Sequence, residues 1–233
     1  MSAETRARGG PQRIPRPADW RAGRPAPWSH LPADARTIRV GDVERVLAER
    51  GASRLRLDRF RPTEATRRSA VLVPLYEADD GTRVVLTRRS PHLRSHTWEV
   101  SFPGGRADDD ESPWQTALRE AYEEIALEPS LVRPIGELDT VGSQSLVHPV
   151  VGALPERPVL RPAPAEVDQI LHVPLNELVL DGVFREELWP IGGGLRPITF
   201  FELHGNTVWG ATAAMLRQLL TLALGVEDDL FLG

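Results

Sequence analysis

Apolar and polar positions divide the chain into a few recognisable elements. Val43, Val46 and Leu47 recur at helical spacing and predict a short amphipathic helix over 41–50. From Ser69 the pattern changes. Ala70, Val71, Leu72, Val73, Pro74, Leu75 and Tyr76 form the near-continuous apolar run of a strand, and Arg83, Val84, Val85, Leu86 and Thr87 form a second. Asp79, Asp80 and Gly81 between them supply turn chemistry, so the pair reads as a hairpin. A helix is predicted over 113–125, with Ser112 as N-cap, Pro113 at the first helical position and Gln115 completing a capping box. Strand-like segments follow near 132–139, 145–154, 182–188 and 197–203. A last helix is expected after Asn206 or Thr207, with Val208, Ala211, Met215, Leu219 and Leu222 or Ala223 on one face, ending at Gly225. No internal repeat is visible. Strands mixed with a few helices, without regular alternation, predict an α/β fold in which helices pack on a mixed sheet.

Composition narrows the chemistry. The 233 residues contain no Cys, which excludes a disulfide scaffold, a thiolate nucleophile and a cysteine-based zinc site. Charge is unevenly placed: residues 1–68 carry a net +8 and residues 69–233 a net −13, and every Lys/Arg position is Arg. The basic front end is rich in Pro and Gly and lacks an aromatic stacking pattern, so residues 1–36 read as an irregular extension, partly disordered, and no nucleic acid is expected. Trp20 and Trp28 are candidates to pin it to the body, taken as one domain over 37–233. With no apolar run near 18 residues and no secretory signal, the expected location is the cytoplasm, away from membranes.

The most informative segment runs from Gly104 into the helix carrying Arg119, Glu120, Glu123 and Glu124. At 100° per residue the three glutamates fall at about 0°, −60° and +40°, on one face. Like charges crowded into the last turns oppose both one another and the helix dipole. The patch is either a solvated acidic face or a site for a hard divalent cation, which takes oxygen ligands.

The spacing Gly105, Glu111, Arg119-Glu120-Ala121-Tyr122-Glu123-Glu124-Ile125-Ala126-Leu127 resembles the box of the Nudix hydrolases, Gly-x5-Glu-x7-Arg-Glu-U-x-Glu-Glu-x-Gly-U, with U a bulky aliphatic residue. Ala126 stands where the family has Gly, and Ala121 at an aliphatic place. The resemblance implies a Nudix-type α/β/α sandwich with a loop-helix-loop metal site. Glu120, Glu123 and Glu124 would bind Mg²⁺ or Mn²⁺, with a carbonyl from Gly105, and Arg119 would orient the carboxylates through Glu111. Ala126 implies an altered loop after the helix.

The preceding stretch, Leu86 to Gly105, is similar to the additional motif of the coenzyme A pyrophosphatase subgroup through Arg89, Ser90, Arg94, His96, Val100, Phe102 and Pro103. Residues 166–168, 173–175 and 208–212 extend that likeness. Trp98 replaces a Gly of the motif and Glu99 a Gln; the indole either narrows the pocket or offers a face to adenine. The resemblance implies phosphate binding by Arg89 and Arg94, a further donor in His96, and a general base in Glu124 or Glu166. Coenzyme A or an acyl-CoA would yield 3′,5′-ADP and 4′-phosphopantetheine. Two alternatives stay open: another nucleotide diphosphate or nucleotide substrate (ADP-ribose, NADH or a nucleoside triphosphate), and a module that binds a nucleotide without hydrolysing it. Analogy with relatives adds a homodimer. Ser90 and Ser101 lack an Asp/His arrangement for nucleophilic catalysis, and His92, His148, His172 and His204 are assigned no role.

Overall fold

A computed structural model describes residues 8–51, 66–93, 97–142, 145–228 and 230. In chain order it contains β1 (Arg21–Ala22), α1 (Val40–Arg50), β2 (Arg67–Ala78), β3 (Gly81–Arg89), β4 (Val100–Ser101), β5 (Gly104–Arg106) and α2 (Pro113–Ile125). There follow β6 (Arg133–Glu137), β7 (Val141–Gly142), β8 (Ser145–Ala153), β9 (Val167–Pro174), α3 (Leu175–Leu178), β10 (Phe184–Ile191), β11 (Gly194–Leu203), β12 (Asn206–Trp209) and α4 (Gly210–Ala223). The helix and hairpin signals of the sequence reappear as α1, β2, β3 and α2.

Two sheets form. The larger is built on the order β4-β3-β2-β8-β6, with β9 on β3, β5 on β2 and β7 on β8. It is mixed, because β2 runs parallel to β8 and antiparallel to β3. The smaller has the order β1-β10-β11-β12. Strand β2 explains why both faces of the large sheet are covered. Ala70, Leu72 and Tyr76 join Ala117, Ala121 and Ile125 of α2 in one core. Val73 and Leu75 point the other way, into a core shared with α1, α4 and the small sheet. Alternation within an apolar run thus serves two layers. The resulting order is helix, sheet, and a mixed layer of two helices with a second sheet.

The hairpin opens into a wedge that builds the site. Strands β2 and β3 pair from Ala78 and Gly81 to Leu75 and Val84 and then separate. Into the gap comes the run 100–106: β4 pairs with Thr87 and Arg88, while β5 pairs with residues 69–71. Gly104 is required there, since at φ +155° an added Cβ would lie 2.4 Å from the Ala70 carbonyl oxygen.

Three expectations need correction. The last helix begins at Gly210, because Val208 and Trp209 belong to β12, which is paired to β11 through Phe201 and Phe200 across a two-residue turn at His204 and Gly205. Residues 167–174, for which the apolar pattern predicts no strand, form β9 on β3. The turn after α2 is not altered: Ala126 itself takes the left-handed conformation at φ 53° and ψ 37°. That conformation costs an L-residue about 1–2 kcal/mol. Ala126→Gly should therefore raise the unfolding free energy by about 1 kcal/mol, after allowing for the greater freedom of Gly in the unfolded chain. A urea midpoint that rises at constant slope is the expected reading, and an unchanged or lower midpoint counts against it.

The basic front end is irregular in backbone yet packed along residues 8–36. Residues 8 and 9 bridge to His204, β1 adds to β10, and Trp28 is 1% exposed, stacked on Phe201 and edge-on to Phe184. Arg16 pairs with the fully buried Glu187, Arg24 with the fully buried Glu186, and Arg8 with Glu177. The opposed charges of the two parts of the chain meet here. Among the described residues no helix is long and apolar enough to cross a membrane.

Candidate functional site

Local chemistry sets where α2 begins. The Gln115 amide N–H donates to Ser112 Oγ at 3.3 Å, Ser112 N–H donates to Gln115 Oε1 at 2.9 Å, and Pro113 needs no partner. Arg119, two turns on, is the organiser. Its Nε and Nη2 donate to the two oxygens of Glu111 at 2.8 and 3.0 Å, a bidentate fork. Nη1 reaches Glu120 Oε1 at 3.0 Å and Glu123 Oε2 at 3.1 Å, and Nη2 also donates to the Arg106 carbonyl at 3.0 Å. The guanidinium, helped by the Asp108 N–H and the Thr116 hydroxyl, pulls the Glu111 carboxyl down to about 2.

Glu124 lies on the opposite side of the acidic face from Glu123. Glu123 is more than half exposed, whereas Glu124 is 5% exposed and accepts the Gly104 N–H at 3.1 Å. Burial pushes the Glu124 carboxyl up to about 7, with the charges of Glu120 and Glu166 adding, against the Gly104 N–H and the Arg89 charge. Glu120 is raised too, by burial first and then by Glu123 and Glu166, against Arg119. Its carboxylate sits over Gly105, where a Cβ would come within 2.5 Å. A side chain at this position would push the Glu120 carboxylate aside.

Glu166 is delivered by the segment that closes the end of α2. Arg161 N–H donates to the Ile125 carbonyl at 3.0 Å and Ala163 N–H to the Glu124 carbonyl at 2.8 Å, satisfying acceptors a helix end leaves open. The Glu166 carbonyl then accepts the Ser90 N–H at 2.8 Å, tying the segment to the end of β3 beside Arg89.

The fold therefore brings together Gly105, Arg119, Glu120, Glu124 and Glu166, with Arg89 near enough to act on Glu124 through its charge. Glu123 stays on the outer side, bound to Arg119. Arg94 and His96 lie outside the described residues. Among the described residues no three acidic or imidazole side chains converge into a ready metal cage. The donor set nevertheless fits a hard divalent cation: Glu120 and Glu124 are two partly desolvated carboxylates that disfavour each other's charge, set against a side-chain-free Gly105.

Two features escaped the sequence reading. Trp98, in place of a Gly, keeps a Gly-like backbone at φ 64°. Its ring is stacked under the Arg88 guanidinium at 4.8 Å, so that face of the indole is not open to a base. Among the described residues a cavity of about 1130 Å³ lies at the other end of α2, lined by Arg67, Arg68, Arg106 and His148 with Asp108, Asp109 and Asp110. It contains neither Glu120 nor Glu124, so its size does not locate the chemistry.

A NUDIX domain family model matches residues 66–191. Nudix hydrolase 22, chloroplastic, of Arabidopsis thaliana is 41% identical over 174 residues, which cover 70% of this chain and 56% of the relative. Nudix hydrolase 15, mitochondrial, of the same plant is 40% identical over 169 residues, covering 68% and 58%. The chain thus spans less than two thirds of these two relatives. NudL of Yersinia pestis, an uncharacterized Nudix hydrolase, is 38% identical over 164 residues, covering 66% of this chain and 78% of the relative. Among solved structures, a MutT/nudix family protein from Enterococcus faecalis superposes with a TM-score of 0.45 at 15% identity, covering 72% of this chain and 71% of that one.

Proposed function

From the premise that the chain belongs to the NUDIX domain family, we propose that it is a divalent-metal-dependent hydrolase of the diphosphate link in a nucleoside diphosphate derivative, coenzyme A or an acyl-CoA by preference. The observation that carries this reading is the Arg119-organised box, in which buried Glu124 and half-buried Glu120 share one face against Gly105. Glu120 and Glu124, with the Gly105 carbonyl, would hold Mg²⁺ or Mn²⁺, and Glu123 would join them on leaving Arg119. When bound, the ion supplies charge neutralisation for the diphosphate and a more acidic water.

The remaining work falls to side chains. Arg119 aims Glu111 and Glu120 by holding both at once, pulling Glu111 down and opposing the burial that raises Glu120. Removal of the proton from the attacking water is assigned to Glu124 or Glu166, two carboxylates close enough for the charge of Glu166 to act on Glu124. Arg89 would pair with a phosphate oxygen; its Nε is buried without a hydrogen-bond partner among the described residues, a donor that an anionic substrate would satisfy. Arg94 and His96 are assigned to the same anion through the coenzyme A motif. The catalytic unit is assigned to 37–233, with residues 1–36 as an extension.

A product-resolved assay tests the reading with coenzyme A, ADP-ribose, NADH and a nucleoside triphosphate under Mg²⁺ and Mn²⁺. The expected result is 3′,5′-ADP and 4′-phosphopantetheine from coenzyme A, at a rate at least about tenfold above the others and lost on chelation. Preferred cleavage of ADP-ribose would refute the coenzyme A assignment. Nucleotide binding with no hydrolysis of any member would refute the enzyme itself.

A further inference from the structure

The Nudix-like box leaves unexplained why a Trp holds a left-handed backbone at the head of the run that delivers Gly104 and Gly105. A bulky L-residue at φ 64° is strained, and such strain persists only where the surroundings over-determine it. The surroundings here are specific. Gln12, from the basic front end, is 8% exposed; its Nε2 donates to the Trp98 carbonyl at 3.0 Å and to Asn206 Oδ1 at 3.4 Å. Its Oε1 accepts the Thr207 N–H of β12 at 2.9 Å. Arg88, stacked on the Trp98 ring, donates to the same Asn206 Oδ1 at 3.2 Å and to Asp168 through Nε at 2.9 Å and through Nη2. One network therefore grips Trp98 by its carbonyl and by its ring.

The gripped residue leads straight to the site. Glu99 carbonyl accepts the Arg89 N–H at 2.9 Å, β4 follows, and Pro103 carbonyl accepts the Leu72 N–H at 2.9 Å immediately before Gly104 donates to Glu124. We propose that Gln12 is a positioning residue for the carboxylate site: by locking Trp98 it fixes the path of residues 98–104, and with it the placement of Gly104 and Gly105 against Glu124 and Glu120. The inference rests on the metal-dependent reading above. It also gives the front end a part in the site although its Arg residues lie elsewhere.

The variant Gln12→Glu tests this in the full chain, because it keeps the acceptor for Thr207 N–H and removes both donors. Gln12→Ala is the second variant, should the buried carboxylate prevent folding. The measurements are free Mn²⁺ by electron paramagnetic resonance, amide exchange of residues 98–104, and thermal melting. The expected result is a rise in the Mn²⁺ dissociation constant of about fivefold or more, with faster exchange in 98–104 and unchanged exchange in 113–125. Loss of folded protein alone would lower the number of sites without moving that constant. Unchanged affinity and unchanged 98–104 exchange in a folded variant would overturn the proposal. If the parent chain binds no Mn²⁺, the metal-dependent reading fails, and the exchange of 98–104 by itself decides the role of Gln12.

Discussion

Replacing Glu124 by Gln is expected to lower metal-dependent kcat/KM by about 10²–10⁴-fold while leaving the fold intact. As a base Glu124 needs an ionisable oxygen, which the amide lacks, and as a ligand the neutral amide carbonyl is a weaker donor to a divalent cation than a carboxylate. The amide does keep the shape and the acceptor for the Gly104 N–H, now made at 3.1 Å. Folding should if anything gain. With the carboxyl raised from the ordinary 4.5 to about 7, the folded metal-free chain binds this proton more tightly than the unfolded chain. Its contribution is therefore fully present below pH 4.5 and is lost as pH rises through about 7. The Gln variant has no such loss, so in chelator its melting temperature at pH 8 should equal or exceed that of the parent. Near-parental turnover in the variant would remove Glu124 from the chemistry. A lower melting temperature in chelator would instead say that its charge is matched by a cation not identified above.

How much of this was open to reading from sequence depends on how local each cause is. Helix α2 was legible to the residue because its signals, Ser112, Pro113 and Gln115, act within one turn. The Arg119 fork on Glu111 was legible only through the likeness to the Nudix box, which pairs these two positions, and the structure shows it. The spread of Glu120, Glu123 and Glu124 was legible as angles, but angles do not tell which edge of the face is buried; that is set by β5 lying under Glu124. Strand β12 was hidden because Val208 also fits the helical stripe of Ala211, Met215 and Leu219, and only pairing with Phe201 decides between strand and helix. The conformations of Ala126 and Trp98 ran against residue type. Tertiary hydrogen bonds such as Gln12 to Trp98, 86 residues apart, override a local preference of one or two kcal/mol. The opposite charges of the two parts of the chain were visible from composition, yet not which Arg meets which Glu across more than 160 residues.

The largest stability effect is expected at Arg217, far from the carboxylate site. Its side chain is 1% exposed and lies between Glu186, which is fully buried, and Asp228, which is 3% exposed. Nε and Nη2 fork onto Asp228 at 2.5 and 2.8 Å, and Nη1 donates to Glu186 at 2.5 Å and to Thr199 Oγ1 at 3.3 Å. Arg217→Met keeps much of the apolar stem but strands the desolvated Asp228 carboxylate and leaves Glu186 with Arg24 as its remaining cation, a change that costs about 3–5 kcal/mol when one partner of a buried pair is removed. The second oxygen of Glu186 accepts the Arg24 N–H at 2.8 Å, so the loss should also loosen the front end where it turns beneath the small sheet. Urea unfolding of the variant should show a midpoint shift of that size, with faster amide exchange in residues 20–28. Glu186→Gln added to Arg217→Met should recover part of the loss, because the amide retains the acceptor for Arg24 N–H while removing a buried charge left with a single, half-exposed Arg24 partner. If the single substitution costs under about 1 kcal/mol, the carboxylates are reached by water once Arg217 is gone, and the network orders the C-terminal segment around Asp228 without holding the core.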